Sequence, residues 1–247
     1  GGTSDGETNV LLKKLIKAII FGGTEETYQS WEGLTADQLK EDRRQNPFTY
    51  ENQIDSYKQD HYQLHWNEKL NQNWSTNFAI NYTKGAGFFE QFKENKDAAD
   101  YGNLIVDGSD VIVRRWLDND FYFANFNTNY KTNKLNFITG ISYSNYSGDH
   151  FGELIFAENL APNTNIRNRY YFSDAKKIDF SLFAKATFDI SEKLIAYVDL
   201  QGRFINYQTQ GITSDIVPID VDANFSFFNP KAGFTYKINP NNNLYTS

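Results

Sequence analysis

The chain has no cysteine, no methionine and only 3 histidines in 247 residues. Without cysteine there is no disulfide framework, no thiolate nucleophile and no Cys-based metal site. Methionine is missing even at position 1, and residues 1–10 lack a charged region followed by a long apolar one. The chain is therefore expected to be a fragment, or a mature chain trimmed at both ends. Basic residues are outnumbered: Lys+Arg 24 against Asp+Glu 31 gives a net charge of −7. That balance, with a pI near 5.0, argues against nucleic acid as a partner, which requires a basic footprint. No apolar run approaches the roughly 18 residues of a membrane helix. Gly-x-Ser-x-Gly, P-loop and His-Glu-x-x-His patterns do not occur, so nothing points to an enzyme, a catalytic residue, a metal or a cofactor.

What the chain does have is rings. Aromatics make up 17% of it, with Phe 21 and Tyr 16, yet the mean hydropathy is −0.62. Such a balance suits strands with one apolar and one wet face. From Asp60 onward the pattern alternates with period two. Tyr62, Leu64 and Trp66 oppose His61, Gln63 and His65; Trp74, Phe78, Ile80 and Tyr82 oppose Ser75, Asn77, Ala79 and Asn81. Further strands are predicted near residues 111–130 and 135–144, then 178–188 and 194–204, then 228–237, with an eighth beginning at the end of the chain. Their connections alternate between short turns (67–73, 131–134, 189–193, 238–243) and long stretches (84–110, 148–169, 208–223). Rings flank the short turns: Trp66, Trp74, Tyr130, Phe137, Phe188 and Tyr236.

Short turns on one side, long loops on the other and a ring girdle are the layout of an outer-membrane barrel. The expected fold is all-β: an antiparallel transmembrane β-barrel of which this chain supplies about 7–8 strands. A soluble β-sandwich binding module is the alternative, since its strands also alternate. Sandwich strands are typically about 5–6 residues long, whereas these carry about ten alternating positions, as a tilted membrane strand needs. Residues 1–57 are read as an N-terminal segment lying mostly on the long-loop side, and 58–247 as the partial barrel. Within the former, residues 10–21 could be an amphipathic helix or a strand end, and Thr35-Ala36-Asp37-Gln38 fits a capping box. A helical turn is expected near residues 97–101.

Six stretches carry a family likeness: Thr27-Tyr28-Gln29-Ser30-Trp31-Glu32-Gly33, Asp55-Ser56-Tyr57-Lys58-Gln59-Asp60-His61-Tyr62-Gln63-Leu64, Asn81-Tyr82-Thr83-Lys84-Gly85-Ala86-Gly87-Phe88-Phe89-Glu90, Arg114-Arg115-Trp116-Leu117-Asp118-Asn119-Asp120-Phe121-Tyr122, Gly148-Asp149-His150-Phe151-Gly152-Glu153 and Phe228-Asn229-Pro230-Lys231-Ala232-Gly233. In order and spacing the chain resembles the TonB-dependent outer-membrane receptors, especially those of Bacteroidetes. The resemblance implies a 22-stranded barrel in the outer membrane of a Gram-negative cell, plugged by an N-terminal domain. It also implies uptake of a scarce nutrient, such as a ferric siderophore, driven by the TonB complex. The plug through which TonB would be contacted has no counterpart in these residues. A non-energised barrel, porin-like or adhesive, is the other membrane reading.

Three residues are candidate ligand contacts: Arg114, Trp116 and His150. Arginine offers a planar fork to carboxylate or phosphate, and ferric chelates are often anionic. Arg114 and Arg115 must point to opposite faces of a strand, so at most one of them enters the lumen. His61 and His65 share a face about 13 Å apart and read as polar lining of the lumen. His150 sits at the mouth of a long loop, where loop ordering is the simpler role.

Overall fold

In a computed structural model, residues 15–28, 34–44, 50 and 52–247 are described. They form a single antiparallel meander of nine strands in sequential order. The strands are β1 (Leu15–Tyr28), β2 (Ile54–Lys69), β3 (Trp74–Lys96), β4 (Ser109–Lys131), β5 (Leu135–Ala157), β6 (Arg169–Asp189), β7 (Leu194–Ile212), β8 (Pro218–Asn239) and β9 (Asn242–Thr246). Nine strands exceed the seven to eight expected from sequence. The difference lies in β1, which occupies part of the stretch left open between helix and strand and pairs along its length with β2. β1 and the start of β2 fall within residues 1–57, the segment read from sequence as lying mostly on the long-loop side. The one α-helix among the described residues, α1 (Ala36–Glu41), opens on Thr35 with the expected capping box, in which Thr35 N donates to Gln38 Oε1 at 2.8 Å.

Strand alternation sorts the sheet into two faces. The outer face carries a continuous apolar band, built by cross-strand neighbours such as Phe78 beside Phe126, Phe126 beside Ile141, Ile141 beside Leu182 and Ala196 beside Phe234. Phe78 and Ala196 are half-buried and the others exposed, Ile141 by 50% and Leu182 by 43%, and no second sheet covers them among the described residues. An apolar surface that large on a sheet is a partner surface, and it matches the lipid-facing side expected from sequence. The band occupies Trp74 to Tyr82 on β3, Tyr122 to Tyr130 on β4, Phe180 to Phe188 on β6 and Phe228 to Tyr236 on β8. Each stretch has the roughly 9–11 residues that a tilted strand needs to cross a membrane.

Rings bound the band at both ends. At the short-turn end Trp74 and Tyr130 stand 4.7 Å apart, where the sequence placed a girdle. At the other end Tyr62, Tyr82 and Tyr122 stack across three strands with centroids 5.8 and 4.8 Å apart. Tyr82 Oη donates to Asp120 Oδ1 at 2.6 Å, so this second row sets its rings at the edge of the apolar band and a hydroxyl among polar groups.

The long connections are shorter than the sequence suggested, because strands continue beyond the band. β3 runs on to Lys96, β5 to Ala157 and β7 to Ile212, leaving only residues 213–217 between β7 and β8. The two longer connections bind each other. Ile105 bridges Leu160, Val106 N donates to Asn159 O, and Ala161 N donates to Leu104 O. A 3-10 helix, Ala98–Tyr101, lies at the expected helical turn and closes on Gly102 at φ 61°. Folded over the inner face, these segments create the one cluster of buried apolar side chains among the described residues: Tyr101, Ile105, Val111, Val113, Leu154, Tyr170 and Tyr171. The packed core therefore stands beyond the apolar band rather than beneath it.

Gly152 is the keystone of that cluster. A Cβ there would meet ring atoms of both Tyr170 and Tyr171. Gly152→Val is expected to destabilise the barrel by about 1–3 kcal/mol through overpacking. Urea titration of the detergent-solubilised protein, followed by tyrosine fluorescence, measures it; an unchanged midpoint would show that the cluster yields without cost.

Candidate ligand site on the inner face

Beyond the band the inner face bears a cavity of about 570 Å³, within the usual range for small-ligand sites. Asp55 and Tyr57 of β2, Gly87, Phe88 and Phe89 of β3, Arg115, Trp116 and Leu117 of β4, His150 of β5, Tyr171 of β6 and Ser214 of the β7–β8 loop line it. A smaller cavity of about 300 Å³ adjoins it, lined by Lys93, Lys96, Asp100, Tyr101, Tyr170 and Asp215. Arg115 and Ser214 line both.

Arg115 reaches this place by parity. It lies an even number of residues before Asn125, Asn127 and Asn129 on the same strand, with no register break against β3 or β5 between them. The guanidinium is half-buried. Its Nε donates to Tyr170 Oη at 3.4 Å and its carbon lies 5.8 Å from the Phe89 ring. Among the described residues no carboxylate is within ion-pair distance of it. Burial alone would lower its pKa, but the hydroxyls of Tyr170, Tyr171 and Tyr101 raise it, so it stays cationic. Burial pushes the hydroxyls of Tyr101 and Tyr171 up to about 12. Near neutral pH the cation therefore faces neutral phenols, with the carboxylates of Asp55, Asp100 and Asp215 elsewhere on the walls of the two cavities.

Glycines let aromatic rings lie flat on this wall. A Cβ at Gly85 would meet the Tyr57 hydroxyl, and one at Gly87 would meet the Tyr57 backbone. The ring thus crosses β3, and Tyr57 Oη donates to Asn119 Oδ1 at 2.9 Å. Lower on the same face His61 Nδ1 lies 2.9 Å from Thr83 Oγ1 and His65 Nε2 lies 3.3 Å from Gln63 Oε1. Both histidines thus sit in a local hydrogen-bonded lining.

Two of the three residues singled out from sequence meet: His150 and Trp116 both line the larger cavity. Arg114 does not line it; its Nε binds Glu90 Oε2 at 2.5 Å, while Trp116 Nε1 donates to Glu153 Oε2 at 3.2 Å. Of the arginine pair, Arg115 is the one on the inner face. Burial lowers the pKa of His150, with Asp149 opposing, so its ring is neutral in the folded protein at neutral pH. Because the folded form resists protonation, stability from this region is complete above about pH 6.5 and declines as pH falls below it. An acid titration of unfolding midpoints is expected to show that decline, and His150→Gln to remove part of it.

Comparison with known proteins adds to this geometry. Residues 17–247 match the family model described as TonB dependent receptor-like, beta-barrel. The fold is similar to that of the ferric-catecholate import receptor Fiu from E. coli K12 in its closed form, with TM-score 0.62 and 14% identity, covering 94% of this chain and 40% of that one. It is similar to the ferric citrate transporter FecA in its unliganded form, with TM-score 0.65 and 12% identity over 94% of this chain and 32% of that one. The siderophore receptor PiuA from Acinetobacter baumannii gives TM-score 0.52 and 15% identity over 75% of this chain and 31% of that one. At such identities the likeness is one of fold, and the chain spans well under half the length of these receptors. No curated protein matches the sequence.

Proposed function

The chain belongs to the TonB-dependent receptor-like β-barrel family, and on that premise we propose that it forms part of an outer-membrane receptor importing an iron chelate. In this reading the short turns face the periplasm and the long connections face outward. The rest of the barrel, the plug and the TonB contact lie outside residues 1–247. The host is Gram-negative, and the stretches quoted above favour a Bacteroidetes-like one. The ligand is an anionic ferric chelate, a siderophore or similar, entering from the side of the 570 Å³ cavity.

The observation that carries this reading is the family match along residues 17–247. Its chemistry is supported by Arg115, a half-buried cation without a carboxylate partner, set among rings where an anion can displace water. His150 and Tyr57 border the same space. Trp116 borders it too, whereas Arg114, whose charge Glu90 takes up at 2.5 Å, is not proposed as a contact of this ligand.

A strain lacking the intact protein is expected to lose uptake of a radiolabelled ferric chelate, either ferric citrate or a ferric catecholate, and to regain it on complementation. Removing TonB should abolish the same uptake. Uptake that persists without TonB would overturn the energised reading and favour a passive barrel.

A further inference from the structure

The histidines of the inner face are not alike. His61 is held by Thr83 and Gln59, and His65 by Gln63. His150 is half-buried, yet among the described residues no hydrogen bond or ion pair engages its ring. Its ring nitrogens are left to whatever enters the cavity that His150 lines.

Register sets this ring beside Arg115. Arg115 pairs with Gly152 and Leu117 pairs with His150, so Arg115 and His150 are diagonal neighbours on one face, with Cα atoms about 7–8 Å apart. Gly152, opposite Arg115, has no side chain to stand between them. On the far side Tyr171 is opposite Gly152 and Ser173 is opposite His150. The two nitrogen-bearing side chains therefore share one wall of the 570 Å³ cavity.

The charges around His150 are few. Arg115 faces it from β4, Asp55 and Tyr57 line the same cavity from β2, and Tyr171 lines it from β6. Phe89 and Gly87 of β3 and Ser214 of the β7–β8 loop bring no charge. Lys93, Lys96, Asp100 and Asp215 line the adjoining cavity. Asp149, the next residue on β5, is exposed on the other face. Burial holds the empty site's His150 neutral near pH 7, against the weaker pull of Asp149. One cation, Arg115, then serves an incoming anion.

We propose that His150 makes capture of the chelate acid-dependent: in mild acid a proton enters the ring together with the ligand, and His150 becomes a second cation diagonal to Arg115. This rests on the reading of the cavity as an anionic-chelate site. The ligand class it selects is a chelate presenting two anionic oxygens, one for each cation. The sign follows from linkage. A bound anion raises the pKa of His150 above its value in the empty site, so affinity is flat at high pH. It rises as pH falls through the bound value and levels off below the empty-site value.

The test uses the intact receptor and whichever of ferric citrate or a ferric catecholate it binds at pH 7.5. Between pH 7.5 and 5.5 wild-type affinity is expected to rise roughly tenfold more than that of His150→Gln, the equivalent of about one pKa unit gained on binding. Comparing the two proteins with one chelate removes the chelate's own protonation. His150→Arg, cationic throughout, should bind more tightly than wild type at pH 7.5 and lose the protein's share of the pH dependence. Calorimetry at pH 6 in two buffers of different ionisation enthalpy should show wild type taking up more protons on binding than His150→Arg. Equal pH slopes and equal proton uptake in wild type and variants would overturn the proposal and leave the chelate reading standing. Binding of neither chelate at pH 7.5 would overturn that reading and the proposal with it.

Discussion

Leu182→Arg is expected to destabilise the folded protein by about 2–4 kcal/mol in lipid, the cost of a cation near the bilayer midplane on the outer face of a barrel. Leu182 sits between Ile141 and Gly202 in the middle of the apolar band. It is 43% exposed, and in a soluble sheet a change at so open a site would be nearly neutral. The same substitution thus separates the two settings by its size. Folding yields into vesicles across a urea series measure it. A shift below about 0.5 kcal/mol would remove the membrane reading of this face. Tyr82→Arg, at the polar edge of the band, should cost much less, because the penalty falls to about 0–1 kcal/mol near the interface.

The second large effect concerns Arg115. Arg115→Ala is expected to weaken binding of an anionic ferric chelate by about 10- to 150-fold, corresponding to the roughly 1.5–3 kcal/mol of a charge-assisted hydrogen bond. Arg115→Lys keeps the charge but loses the planar fork, and should fall between. Equilibrium binding to the intact receptor measures both. Arg114→Ala is the informative contrast. It removes the ion-pair partner of Glu90, which is 2% exposed, so it should lower stability while leaving chelate affinity unchanged. If Arg114→Ala abolished binding and Arg115→Ala did not, the inner cavity would not be the ligand site.

Much of this fold was readable in advance, because a period-two pattern encodes a face directly. Strands β2 to β8, their turns, the girdle at Trp74 and Tyr130, the helical turn near Tyr101 and the capping box at Thr35 all followed from residue order. Arg115 was readable too. Counting back by twos from Asn129, Asn127 and Asn125 puts it on the polar face. What obscured it was the pair of arginines itself, and Phe121 and Phe123, which interrupt the polar face on that path. Strand ends were the weaker part. The residues beyond Lys84 and Gly148 are rich in glycine and charge and read as loop, yet they continue as strand because each has a neighbour already extended beside it.

The sequence by itself determined an all-β chain with one lipid-facing side, because alternation and ring placement are local properties that each strand carries alone. Tertiary structure decided the rest: nine strands in register, two connections sealed together over Gly152, Arg115 on the inner face and a second ring row on the outer wall. Those depend on pairing between residues tens of positions apart. A one-residue shift in register would leave the composition of every strand unchanged and exchange its two faces.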